Sequence, residues 1–423
     1  MTVTSPTKAQ TSASAAWSTI PTSSIARNTL NPIRVVVEKM QASHGPTQTP
    51  ISLSIGDPTV FGNFNTHPEV TKAVRKQLDS YRANGYGPSY GLPVAREALA
   101  LKYSTPEAPL SANDVILTSS CSSALEMTVS CLADVGQNIL IPRPGFSMYK
   151  TLALSKQLEA REYRLLPERQ WEIDLDHFAS LIDDRTAAVI LNNPSNPCGS
   201  VFSRSHLEAI LAICEHKRVP IISDEIYADM VFDCPSTEGF HALAQLTHTV
   251  PILTVGGLAK QWLVPGWRVG WILIHDRQQL FSQVRRGLEA LSTLILGPNT
   301  VIQAAIPDIM TKVPPSFLAD TIRRLSIHAR ACERRLSQIP GLQVVVPQGA
   351  MYMMIGLDIP NFTGIQDDVD FASRLNLEES VEVLPGQCFN YPNFFRIVLT
   401  PPVDKLEEAC NRIARFCNRY YMQ

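Results

Sequence analysis

From Ile51 onward the chain alternates short apolar runs with stretches whose apolar residues fall at helical spacing. Val115 to Thr118 reads as a strand, and Leu125 to Leu132 follows it with the three-and-four periodicity of a helix. Asn138 to Ile141, Ala187 to Leu191 and Val219 to Ser223 are further apolar runs, each ending in a polar or Gly/Pro loop. Strands separated by helix-length segments predict an α/β fold: a mostly parallel sheet covered by helices on both faces, with chemistry on the loops beyond strand C-termini. Beyond Pro314 the pattern changes. A charged helix (Phe317 to Ser337) precedes strands near Gln343 to Val346, Met351 to Ile355 and Phe395 to Leu399, and a helix closes the chain from Lys405 to Tyr420. This predicts a smaller α+β domain from residues 314–423, completed by residues 29–80, around a large domain over 81–313. Residues 1–28 are rich in Ser, Thr and Ala and contain no acidic residue. They read as a mobile arm, with a mitochondrial presequence as the alternative.

One run changes the picture more than any other: Gly256-Gly-Leu-Ala-Lys260-Gln-Trp-Leu-Val-Pro-Gly-Trp-Arg268, entered from the β-rich Ile252 to Val255. A lysine among small and apolar residues at the end of a buried strand is poorly placed as a solvated cation. Desolvation favours its neutral amine, a nucleophile able to form a Schiff base with an aldehyde. Arg268 adds a fixed charge suited to an anion. Thr118-Ser-Ser-Cys-Ser-Ser123 joins a strand to a helix expected to begin near Ala124, where free N–H groups and the helix dipole suit a phosphate. Asp224 follows the apolar run Val219 to Ile222. A carboxylate there is costly without a cation, and a protonated pyridine nitrogen is one. Tyr227 and Asn196 can donate to a ring oxygen, and Phe146, in Pro144-Gly145-Phe146, can stack on a ring face. Arg396 lies inside the apolar strand Phe394 to Leu399 and calls for a buried anion such as a carboxylate. Singly, these are an N-cap, a turn, a core aromatic and a structural ion pair. Together they point to pyridoxal phosphate.

Composition excludes more than it assigns. The 423 residues are 45% apolar and 18% charged, with a formal net charge of −2 and no basic run, which argues against nucleic acid or an anionic membrane as main partner. No apolar stretch approaches the roughly eighteen residues of a membrane-spanning helix. Nine cysteines, none in Cys-x-x-Cys, fit reduced thiols in the cytoplasm. No His-Glu-x-x-His motif or Cys/His cluster suggests a metal.

On these motifs the chain resembles the fold-type I pyridoxal-phosphate aminotransferases, and within them the tyrosine aminotransferase family. The likeness runs from Asn31-Pro32-Ile33-Arg34 to the C-terminus and is densest in 192–203, 223–232, 256–271, 297–305 and 347–353. It implies pyridoxal 5'-phosphate as cofactor, with an amino acid and a 2-oxo acid as substrates in a ping-pong reaction. Lys260 would carry the Schiff base and Asp224 would face the pyridine nitrogen. Tyr227 and Asn196 would hold the ring oxygen, and Phe146 would stack. Ser120, Cys121, Ser122 and Arg268 would bind phosphate. Arg396 and Gly56 would serve the substrate, with Asn196 beside them. Tyr86 matches a family tyrosine that reaches the neighbouring subunit's phosphate, implying a homodimer with shared active sites. Two departures stand out. Ser120-Cys121 occupies a place where relatives often carry glycine. The arginine by which aspartate-specific relatives grip a second carboxylate is missing near Leu291 to Ile295, which favours aromatic or apolar amino acids. A carbon–sulfur lyase on the same scaffold is the rival, and a non-enzymatic ligand-sensing module a more distant one.

Overall fold

The computed structural model describes residues 19–41, 48–235 and 237–422. Most of the expected arm, and with it the presequence alternative, lies outside them; within the arm, Ser24–Asn28 forms a helix that buries no residue.

Strand β1 (Ile51–Ser52) precedes eight strands of one sheet: β2 (Val115–Thr118), β3 (Asn138–Arg143), β4 (Glu159–Leu166), β5 (Glu172–Ile173), β6 (Thr186–Asn192), β7 (Ile221–Asp224), β8 (Ile252–Gly257) and β9 (Gly270–His275). Their order is β2-β9-β8-β7-β6-β3-β4-β5. Parallel pairing joins β8, β7, β6, β3 and β4. The central strands are buried on both faces, as β-branched runs without polar alternation require: in β7, Ile221 enters one core cluster and Ile222 the opposite one.

The sheet departs from the parallel pattern at its edges, where β9 runs antiparallel to both β8 and β2, and β5 to β4. The reason lies in the connection. Between Gly257 and Gly270 the chain makes only a short 3-10 turn, and without a crossover helix the following strand must return antiparallel. The antiparallel β9 therefore places the Lys260 to Arg268 segment as a tight loop at the end of β8.

The remaining strands are β10 (Leu342–Val344), β11 (Tyr352–Leu357), β12 (Val381–Glu382), β13 (Leu384–Pro385) and β14 (Phe394–Val398). Four of them form an antiparallel sheet in the order β10-β11-β14-β13. Its core is shared with the helices Pro315–Leu336 and Val403–Tyr420, the latter burying Leu406, Ala409, Ile413 and Phe416 along one stripe. β1 pairs in parallel with β12, so residues near Ile51 join these C-terminal elements.

Candidate active site

The C-terminal ends of β2, β6, β7 and β8 open onto one cavity of about 680 Å³. Ser54 to Gly56, Tyr352 and Arg396 close it from the side of the small sheet.

Asp224 ends β7 and is buried, and each of its oxygens has a partner. The Tyr149 hydroxyl donates to Oδ2 at 2.6 Å, while Ile226 N (3.2 Å) and the Cys121 thiol (3.7 Å) donate to Oδ1. Burial pushes the carboxyl above its usual range and these hydrogen bonds pull it back. Beside it, Asn192 fixes the neighbouring loop, its amide donating to Asp224 O at 3.1 Å and accepting from Asn196 N at 2.7 Å.

The strand-to-helix junction after β2 differs from the sequence expectation. The helix starts at Cys121, earlier than the expected Ala124, and Ser120 is its N-cap, accepting from Ser123 N at 3.2 Å. Ser120 holds φ at 145°, a conformation glycine adopts readily and a β-carbon resists. The Thr118 hydroxyl braces it by donating to Ser120 O at 2.9 Å. Gly270 on β9 passes so close that a β-carbon there would strike Cys121 N. Arg268, exposed on the next loop, donates to Pro265 O at 3.0 Å and has no carboxylate partner among the described residues.

Lys260 is half-buried, and its Nζ donates to Gly56 O at 2.5 Å across the cavity. Gly56 is confined by Tyr352: a β-carbon would collide with that hydroxyl. Tyr352 and Tyr227 pair hydroxyl to hydroxyl at 2.6 Å. Arg396 is 3% exposed. Its guanidinium lies 4.4 Å from the Tyr352 ring centre and 4.9 Å from that of Phe389. It donates to Asn196 Oδ1 at 2.9 Å and to Ser54 O, but its Nε has no partner. No carboxylate pairs with it among the described residues, and burial lowers its proton affinity.

Eleven of the twelve expected site residues line this cavity: Gly56, Ser120, Cys121, Ser122, Phe146, Asn196, Asp224, Tyr227, Lys260, Arg268 and Arg396. Tyr86 does not; it is 92% exposed on its own chain. Cys121 has a second contact the motif did not disclose, since its thiol reaches Asp224 while its backbone belongs to the helix start. Sequence reasoning passed over Tyr149, Tyr352, Asn192, Asn31 and Arg34, all of which line the cavity. Tyr352 becomes visible only in the fold. It pairs across the ladder with Val398, so it shares the face of Arg396, two residues away.

Lys260 and the buried Asp224 thus lie at the ends of parallel strands beside a helix start, in one cavity with the buried Arg396 guanidinium. Residues 48–413 match the family model for aminotransferase class I and II, and the chain belongs to that family, whose members depend on pyridoxal phosphate. Among its relatives are the tyrosine aminotransferases of Mus musculus, 54% identical over 96% of this chain and 89% of the relative, and of Homo sapiens, 53% identical with the same coverage. The crystal structure of tyrosine aminotransferase from Leishmania infantum superposes with a TM-score of 0.91 at 35% identity, covering 96% of this chain and all of that one.

Proposed function

We propose that the protein moves the amino group of tyrosine, or a similar aromatic amino acid, to a 2-oxo acid, with pyridoxal 5'-phosphate held in the cavity. The observation that carries this is Arg396: a buried cation with an unused N–H and no acid beside it, in the same cavity as Lys260. A substrate α-carboxylate supplies the missing anion.

The residues present fit the cofactor. The first-turn N–H groups after Ser120, with Cys121, Ser122 and Arg268, would hold its phosphate, and Phe146 its ring face. Asp224 would hold a proton on the ring nitrogen. Tyr227 and Asn196 would donate to the ring oxygen. Because Asn196 Oδ1 accepts from Arg396, the amide NH2 is the end left to donate, and one residue thereby touches both the cofactor and the substrate anchor. When bound, the cofactor supplies an aldehyde for the substrate's amine and a ring that draws electrons from its Cα. Lys260 would be the residue that anchors the cofactor, and its amine would also be the group that carries the proton at the substrate Cα. Its short reach to Gly56 O keeps it beside the substrate path.

Tyrosine is favoured over aspartate by the apolar lining Ile33, Leu125 and Ile226 and by the lack of an arginine in 291–296. Leu294, Ile295 and Leu296 are 79%, 52% and 57% exposed, an apolar stretch suited to a second copy of the chain. In such a homodimer with shared active sites, the exposed Tyr86 would reach the partner's phosphate. The free cysteines among the described residues support a cytoplasmic location. No helix among those residues is long and apolar enough to cross a membrane.

Tyrosine, phenylalanine, tryptophan, methionine and alanine, each paired with 2-oxoglutarate, pyruvate or oxaloacetate, test the reading. Highest kcat/KM is expected for tyrosine or another aromatic donor. Ammonia and pyruvate released from cystathionine without an acceptor would favour the lyase instead.

A further inference from the structure

The Asp224 carboxylate is held more firmly than its own burial requires. A buried phenol is costly when its hydroxyl has no partner, and phenylalanine would fill the space of Tyr149 without that cost. Tyr149 is 1% exposed, packs its ring edge-on against Phe146 at 5.7 Å, and spends its hydroxyl on Asp224. Cys121 is the second donor, weaker by its distance and by the softness of sulfur. Burial keeps both groups protonated, so both can only donate to the carboxylate. The other titratable groups around Asp224 are Glu225 and Tyr227 on its own loop, while Lys260 and Arg268 act on Cys121 from the facing loop.

We propose that Tyr149 and Cys121 are positioning residues that keep Asp224 a fixed, aimed carboxylate, so that the nitrogen of the bound ring retains its proton. This rests on the reading that Asp224 faces that nitrogen. Oδ1 already accepts from Ile226 N and the Cys121 thiol, while Oδ2, with Tyr149 as its one internal donor, keeps a lone-pair direction for one more donor. Without the tyrosine donor the carboxylate becomes the stronger base, and the shared proton moves from ring to Asp224.

The test uses holoprotein carrying pyridoxal phosphate labelled with ¹⁵N in the ring, whose NMR shift reports protonation of that nitrogen independently of turnover. In Tyr149→Phe the share of the proton carried by the ring nitrogen should fall severalfold on the low-pH side of the titration, with cofactor Kd raised roughly tenfold. Cys121→Ala should lower that share by less, and Cys121→Ser, which keeps a donor, should stay near wild type. If Asp224→Ala moves the titration while Tyr149→Phe and Cys121→Ala leave it unchanged, the positioning role is wrong and the reading of Asp224 stands. If Asp224→Ala also leaves it unchanged, both are wrong. Should Tyr149→Phe fail to fold, the alanine and serine variants of Cys121 decide alone.

Discussion

Asp224 and Arg396 are both buried charges in one cavity, on opposite walls, and the fold treats them differently. On the wall built by the parallel strands, Asp224 receives a phenol, a thiol and a backbone N–H. On the wall built by the antiparallel sheet, Arg396 receives a carbonyl, an amide oxygen and two aromatic faces, none of them charged, and its Nε is left without a partner. The carboxylate is satisfied from within because its proposed partner, the cofactor, stays through every turnover. The guanidinium keeps its demand unmet, which suits its proposed partner, a substrate carboxylate that comes and goes. A buried cation without an anion is normally a large cost, and a site can retain one where a ligand's carboxylate repays it on binding.

The sharpest way to break this contrast is to remove the unsatisfied side. Arg396→Gln should lower kcat/KM for tyrosine by about 10²–10³-fold, carried mainly by KM. With tyramine, which lacks the carboxylate, wild type and variant should be equally poor. A variant equally impaired on both amines would make Arg396 structural.

A smaller effect is expected on the satisfied wall. In Gly270→Ala the new β-carbon meets Cys121 N, so the helix start must shift. Stability should drop by about 1–3 kcal/mol, with weaker cofactor retention, read by thermal unfolding and dialysis. An unchanged midpoint would show that the junction gives way freely.

The effect confined to one pH window concerns Glu225, next to Asp224. It accepts from Ser223 Oγ at 2.8 Å and Leu243 N at 3.2 Å, and burial pushes its carboxyl up to about 7. The folded chain then binds this proton more tightly than the unfolded chain, whose carboxyl titrates at its ordinary 4.5. Its contribution is fully present below about pH 4.5 and is lost as the pH rises through 7. In denaturant titrations of the cofactor-free protein, Glu225→Gln should flatten the fall in stability between pH 5 and 7. Parallel curves for the two proteins would contradict it.

The satisfied and unsatisfied walls were not equally legible in the sequence. Lys260, Asp224 and Arg396 stood out because a charge inside an apolar run needs an explanation, and Ser120 to Ser122 because small hydroxyl residues fell at a strand-to-helix junction. Tyr149 and Tyr352 were hidden because an aromatic in a core element needs none; only three-dimensional contact shows where each hydroxyl goes. The direction of β9 was equally hidden. No strand is expected there from the sequence, and its sense is settled by the short connection after Gly257. Tyr86 belongs to another category, since its proposed role lies on a second copy of the chain.

Both walls have meaning only if Lys260 is the side chain that holds the cofactor. Borohydride reduction of the holoprotein, followed by proteolysis and mass mapping, should place a pyridoxyl group on Lys260 alone, and Lys260→Ala should lose the label together with about 10³-fold or more of its turnover. A label on another lysine, or full turnover without Lys260, would contradict the account.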